Sequence, residues 1–320
     1  AQVSPEWIHG LRSVWQHSLA RDQKSISYHY DQPFEFYHPW LGETLAYSCA
    51  YFRNSTDGLD QAQQDKLELI CRKLRLSPGD HLLDIGCGWG SLILHAASRY
   101  GVEARGITLS RRQAAMATRR ITQAKLNRRC AVEFRDYREV PGPSGRFEKI
   151  ASIGMFEHVG LKNMRRYFGI ARGLLKPDGL FLHSGIVHSA SLGFQRVSSI
   201  DKYVFPNGDL VTLPRELELA ESVGLEVRDV ENLREHYERT LCLWVERLQQ
   251  NRRAVLQEVS EKTYRIWLLY MAGSAVAFQR GKLLVYQVLF ARPDRGRCHL
   301  PHTREDCYRK WETEASRLSA

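Results

Sequence analysis

The sequence predicts an α/β protein with a doubly wound sheet. Short apolar runs alternate with longer amphipathic ones from residue 81 onward, as strands alternate with the helices that cross between them. The first run, Leu82-Leu83-Asp84-Ile85, enters the glycine-rich turn Gly86-Cys87-Gly88-Trp89-Gly90. In open sheets of this kind, ligands bind beyond the carboxyl ends of the strands, where such turns lie. The chain has 320 residues, 43% hydrophobic and 26% charged. That balance excludes disordered, collagen-like and disulfide-framework classes.

The elements follow in order. Ser4-Pro5-Glu6 opens a helix, with Ser as N-cap and Pro at the first helical position. Ile8, Leu11, Trp15 and Leu19 form its apolar stripe. An aromatic stretch, residues 28–40, leads to a helix over 59–76 that turns Leu67, Ile70, Cys71 and Leu74 inward. Strands are predicted at 81–85, 102–107, 132–135, 150–153, 180–183, 225–230 and 283–290. Helices are predicted at 90–100, 110–126, 162–175, 214–223, 235–249 and 261–279. Ser77-Pro78-Gly79-Asp80 and Lys176-Pro177-Asp178-Gly179 read as turns. The expected organisation is one domain over 1–320. It comprises an N-terminal helical lid (1–58), a cofactor-binding core (59–187), and a substrate and cap region with the end of the sheet (188–320), the helical cap preceding the last strand.

Lys and Arg number 46 against 36 Asp and Glu, a formal net charge of +10. Such a surplus points to an anionic partner: nucleic acid, an acidic membrane surface or a phosphorylated ligand. Seven basic residues and no acidic one lie between Arg111 and Arg129. At helical spacing, Ala114, Ala117, Ile121 and Ala124 share a narrow face with the basic residues around the rest. No nucleic-acid motif accompanies this patch, so an anionic lipid surface is the expected partner. The longest uncharged apolar run, Ile266–Phe278, has thirteen residues, short of the roughly 20 a membrane span needs. Residues 1–20 carry Glu6, His9, Arg12 and His17, so no signal peptide is expected. The seven cysteines are odd in number and include no CxxC pair, which fits a reduced, cytoplasmic setting. Cys298, His299, His302 and Cys307 match no zinc spacing, so no metal is expected.

The spacing Gly86-x-Gly88-x-Gly90, with Asp84 before it, is tighter than the dinucleotide pattern. It resembles the signature of S-adenosylmethionine (SAM)-dependent methyltransferases of class I, which have a Rossmann-like sheet. The second strand ends Thr108-Leu109-Ser110 without a carboxylate, so Thr108 and Gln113 are expected to supply polar contacts there. Asp136 and Tyr137, after the third strand, fit an adenine contact.

Several blocks together resemble the cyclopropane-fatty-acid synthase family, which includes mycolic acid cyclopropane synthases. They are Tyr47-Ser48-Cys49-Ala50-Tyr51-Phe52, Leu83–Gly90, Gly106–Ser110, Met155-Phe156-Glu157-His158-Val159-Gly160, Lys202-Tyr203-Val204-Phe205-Pro206-Asn207-Gly208 and Tyr237-Glu238-Arg239-Thr240-Leu241 with Trp244. The resemblance covers about residues 28–291. It implies transfer of the SAM methyl carbon to a cis double bond of an unsaturated phospholipid acyl chain. A carbocation would form, and bound bicarbonate would take the proton as the ring closes.

The matching residues give the expected site. Cys49, Glu157, His183 and Tyr237 would hold the bicarbonate. Tyr47, Ser48, Asp84, Gly86, Cys87, Gly88, Thr108, Leu109, Gln113, Asp136 and Tyr137 would hold SAM. Tyr30, Tyr203, Trp244, Tyr270 and Phe278 would line the acyl site, where ring faces stabilise a cation by about 0.5–2 kcal/mol each. The run Gly273-Ser274-Ala275 carries Ser where many members have Cys, which speaks against a required thiolate there. Its small residues suit either an acyl tunnel or a close helix contact. His183-Ser184-Gly185 carries Gly where a bulkier apolar residue is common. The expected setting is peripheral on an anionic membrane, without nucleic acid, and with the oligomeric state open, a homodimer being the one named. The rival expectation is a methyl-branching lipid methyltransferase or a small-molecule N- or C-methyltransferase of the same family.

Overall fold

The computed structural model describes residues 32–140, 145–192 and 210–308. The helix expected from Ser4 onward, Tyr30 and the segment 202–208 with Tyr203 lie outside the described residues. An eight-residue helix, α1 (Phe34–Leu41), and a fifteen-residue helix, α2 (Leu59–Lys73), precede the sheet. Then β1 (His81–Ile85), α3 (Ser91–Tyr100), β2 (Glu103–Thr108), α4 (Arg111–Gln123), β3 (Cys130–Phe134), β4 (Phe147–Ile153), α5 (Leu161–Leu174) and β5 (Leu175–His188) alternate. After α6 (Leu213–Glu221) and β6 (Glu226–Asn232) come α7 (Arg234–Gln250), α8 (Arg252–Glu258), α9 (Glu261–Gln279), β7 (Leu283–Ala291) and a final turn of helix, α10 (Glu305–Tyr308).

The seven strands form one sheet in the order β3-β2-β1-β4-β5-β7-β6. The first five run parallel, and β7 inserts antiparallel between β5 and β6. Strand order reverses between β1 and β4, so the crevice at their carboxyl ends is the place for a ligand. One apolar cluster packs α2 and α3 on the sheet, and a second packs α5 and α6. A third cluster lies in the cap, where α1, α7, α8 and α9 bury Trp40, Trp244, Trp267, Met271 and Phe278 together. The helix α1 was not separated from the aromatic stretch by sequence patterning. It forms because Phe36, Tyr37, Trp40 and Leu41 share one buried face, despite Pro39 inside it.

Two sequence expectations change. Lys176–Gly179 is not a turn before a strand but an irregularity within β5. Asp178 takes a φ of 65° there, its N–H donating to Arg292 O at 2.8 Å, and Arg292 N–H donates to Gly179 O at 2.9 Å. These bonds to the continuation of β7 keep the chain in the sheet. The basic helix is also shorter, ending where Lys125 adopts a φ of 59°. Ala124 is exposed, while Gln113, Ala117 and Ile121 form the buried face. Arg120 points inward, donating to Trp89 O at 2.7 Å and to Ser91 Oγ at 3.3 Å. It ties α4 to the glycine-rich turn and is not part of the surface patch. Arg112, Arg119, Lys125 and Arg128 are exposed.

Trp40 is fully buried and meets Phe36, Tyr37, Tyr47, Trp244 and Trp267 at ring separations of 5.6–5.9 Å. Trp40→Ala is expected to cost about 3–5 kcal/mol, read as a lower midpoint in denaturant unfolding.

Candidate active site

The carboxyl ends of β1, β2 and β4 open on a cleft of about 1100 Å³. The glycine-rich turn forms its floor. Gly86 has a φ of 85°, and a Cβ there would lie 2.8 Å from Met155 Cβ. Gly90 caps α3 at a φ of 82°, with Ala117 Cβ only 3.1 Å from where its own Cβ would be. Only glycine takes both the backbone angle and the space. The strand thus turns sharply enough for its main chain to approach a ligand.

Buried charge governs the cleft. Asp84 is 3% exposed, and burial raises its carboxyl to about 7, an effect that nearby Lys66 opposes. Lys66 lies on the inward face of α2, also 3% exposed, and burial lowers its amine to about 8. Its Nζ donates to Ser48 Oγ at 2.9 Å. At β2, Thr108 Oγ1 donates to Gln113 Oε1 at 2.7 Å. That bond orients the Gln113 side chain and leaves its amide N–H groups for a ligand. Asp136 is clamped by Arg138, whose Nε and Nη2 donate to its two oxygens at 2.8 Å each. The clamp fixes the carboxylate plane beside Tyr137.

Every residue expected to hold the cofactor lines this cleft: Tyr47, Ser48, Asp84, Gly86, Cys87, Gly88, Thr108, Leu109, Gln113, Asp136 and Tyr137. Sequence reasoning missed Lys66, Trp89 and Arg138, which line it too; His158, expected beside Glu157 as a support for the loop or the cofactor, also lines it. Lys66 carried a signal, a cation beside Leu67 and Ile70 on an apolar helix face. Arg138 carried one in its spacing from Asp136.

The four residues expected to hold bicarbonate are not among those that line the cleft. Cys49 and Tyr237 belong to the cap cluster. The Cys49 thiol donates to Ala50 O at 3.3 Å, and burial pushes it well up, so it stays protonated. Tyr237 packs on Phe278 at 4.8 Å and Trp244 at 6.2 Å. His183 lies on the α5 and α6 side of the sheet, fully buried, 4.5 Å edge-on to Phe156. Its Nδ1 is 3.2 Å from the Tyr167 hydroxyl and its Nε2 is 3.3 Å from Glu216 Oε1. Burial lowers its imidazole to about 3, so it is neutral. Glu157 accepts the Ile186 N–H at 2.8 Å through Oε1, and burial raises its carboxyl to about 7. Glu216 was not among the expected residues.

Trp244 and Phe278 are fully buried in the cap cluster, and Tyr270 is half-buried against it. Gly273 faces open space, so the small residues there do not form a close helix contact at that position. Tyr47 joins cleft and cap: it lines the cleft and meets Trp244 at 5.3 Å and Trp267 at 5.9 Å. Cys298, His299 and Cys307 turn to separate partners, Glu226, Asp178 and the Arg72 carbonyl.

The family model of mycolic acid cyclopropane synthetases matches residues 17–288. The chain belongs to that family. A "Probable fatty acid methyltransferase" of Pseudomonas putida is 45% identical over 298 residues, 92% of this chain and 75% of that protein. The cyclopropane-fatty-acyl-phospholipid synthase of Escherichia coli K12 is 36% identical, over 82% of this chain and 66% of that protein. The solved cyclopropane synthase MmaA2 of Mycobacterium tuberculosis superposes with a TM-score of 0.79 at 31% identity, covering 84% of this chain and 98% of that one. CmaA1, solved with SAH and CTAB, gives 0.79 at 32% identity, over 84% of this chain and 98% of that one. This cyclopropane synthetase relative is therefore a SAM-dependent methyltransferase of class I fold, acting in lipid synthesis. Among the described residues, no helix is long and apolar enough to cross a membrane.

The raised Asp84 carboxyl sets a pH dependence. Its proton is held more tightly in the fold, about 7 against 3.8. The stability it contributes is full below about 3.8 and is lost as pH rises through about 7. Asp84→Asn should therefore gain stability relative to the parent between pH 4 and pH 8, measured by urea unfolding across that range.

Proposed function

We propose that this enzyme transfers the methyl carbon of SAM to the cis double bond of an unsaturated phospholipid acyl chain at an anionic membrane surface, closing a cyclopropane ring. The observation that carries this reading is the junction at Tyr47, where a cleft lined by charged and polar groups meets a cluster of buried rings. SAM, when bound, supplies an electrophilic methyl on a sulfonium. Asp84 and Lys66 offer opposite charges to its zwitterionic amino-acid tail. Gln113 and Thr108 suit the ribose, and Asp136 and Tyr137 suit the adenine. Tyr47, Tyr237, Trp244 and Phe278 present ring faces that would stabilise a carbocation, and the Cys49 thiol in the same cluster stays protonated. Their close packing keeps water out.

Glu157 Oε2 and His183 Nε2 are buried without a hydrogen-bond partner, and burial raises the Glu157 carboxyl to about 7 and keeps His183 neutral. These two atoms would hold bicarbonate, which when bound would supply a proton acceptor. The Cys49 thiol is turned to the main chain, and His183 Nε2 also faces Glu216 Oε1 at 3.3 Å.

The second reading is methyl branching without ring closure, and the P. putida relative, named only a fatty acid methyltransferase, accords with either. Lipids from cells expressing the protein separate the two by mass spectrometry and proton NMR. A product heavier by one methylene and lacking olefinic protons is expected. The same mass gain with an alkene retained would establish branching, and unchanged lipids would contradict both. For the membrane contact, charge reversal at Arg119 and Arg128 should weaken binding to anionic vesicles, more at low salt than at high salt. Equal vesicle binding by the variant and the parent would rule the patch out.

A further inference from the structure

The cap helix α9 buries one face and leaves the other uncovered. Tyr264, Trp267, Met271, Ala275 and Phe278 point into the ring cluster. On the opposite side, Lys262, Arg265, Leu269, Gly273, Val276 and the C-cap Arg280 are all exposed. At helical spacing these six fall within an arc of about 80°. Leu269 is 56% exposed and Val276 42%, and they are two of the five large apolar side chains exposed among the described residues. They lie two turns apart on one line of the helix. Lys262 and Arg265 precede them, and Arg280 and the exposed Lys282 follow. The apolar stretch therefore has cations at both ends and no carboxylate on its arc. Glu261, at the edge, is engaged by Arg252 and Arg265. The helix is not long and apolar enough to cross a membrane.

We propose, on the basis of the lipid reading above, that this face of α9 is the surface by which the cap docks on an anionic lipid bilayer. A helix with an apolar face flanked by cations lies in the plane of the interface, its apolar side chains at the acyl boundary and its cations at the phosphates. Leu269 and Val276 are the side chains that insert, and Lys262, Arg280 and Lys282 meet the headgroups. Unlike the cations of α4, this face offers hydrocarbon as well as charge. A second copy of this chain, laid on it head to tail, would meet like charge at both ends, whereas an anionic surface complements it. The other face of the same helix carries Trp267, Met271 and Phe278, so α9 is the wall between the lipid surface and the ring cluster. An acyl chain drawn from the bilayer past this helix travels about one helix diameter, roughly 10 Å.

The test is co-sedimentation of the full chain with vesicles of phosphatidylcholine and phosphatidylglycerol, at low and at high salt. Leu269→Ser combined with Val276→Ser should weaken binding roughly 100-fold at either salt, about tenfold for each apolar side chain lost from the interface. Charge reversal at Lys262, Arg280 and Lys282 should weaken binding at low salt and much less at high salt. The melting temperature should be parental in both variants, because the altered side chains are exposed. Turnover on vesicles should fall with binding, while turnover on lipid dispersed in detergent stays parental. Parental vesicle binding by the Leu269→Ser, Val276→Ser variant would overturn the proposal, as would a parent that does not bind these vesicles. A parental dimer that this variant splits, with vesicle binding intact, would also overturn it, since a second copy then covers the face. A parent that binds vesicles through α9 yet makes no lipid product refutes the methyl-transfer reading and leaves the docking surface standing.

Discussion

In the proposed reaction one cation, the SAM sulfonium, is bound beside buried groups and a second is made among packed rings. The rest of the molecule follows from that constraint. Burial makes Asp84, Glu157 and Lys66 expensive to charge. Asp84 and Glu157 are raised to about 7, and Lys66 is lowered to about 8. Each is therefore near its titration point at neutral pH, and a bound ligand's charge can settle its state. The doubly wound sheet collects these groups at the carboxyl ends of β1 and β4, and the cap closes aromatic rings over the next space.

The two halves of the chain contribute differently. In the proposed complex the core would supply main-chain approach and polar contacts through the glycine-rich turn, β2 and the Asp136–Arg138 clamp. The cap supplies hydrocarbon and ring faces. Tyr47 belongs to both, lining the cleft while packing on Trp40 and Trp244. The charge surplus serves neither interior, since the exposed basic residues of α4 lie on the outer face of the core. Arg120 is the exception, drawn inward to hold the turn.

Much of the fold was legible in the sequence because strand and helix periods differ and because glycine spacing is local. All seven strands appear where apolar runs predicted them. The irregularity at Asp178 was not legible, since Lys-Pro-Asp-Gly is ordinary turn chemistry and only pairing with β7 makes it part of a strand. The cleft residues were legible for the same local reason: Asp84 to Gly90, Thr108 and Asp136 sit at strand ends. Lys66 was legible only as a cation beside Leu67 and Ile70 on a predicted inward face, and Glu216 was not legible, because the inward face of α6 is set by tertiary packing. His183 was read as an anion donor, and only the placement of α6 puts a carboxyl against it.

A desolvated Asp84, raised to about 7, would be neutral much of the time in the free enzyme and become charged when the SAM cation binds. Calorimetric titration of SAM at pH 6.5, in two buffers of different ionisation enthalpy, counts the protons exchanged. Net proton release on binding, abolished in Asp84→Asn, is the predicted result. Binding without proton exchange in the parent would contradict the account.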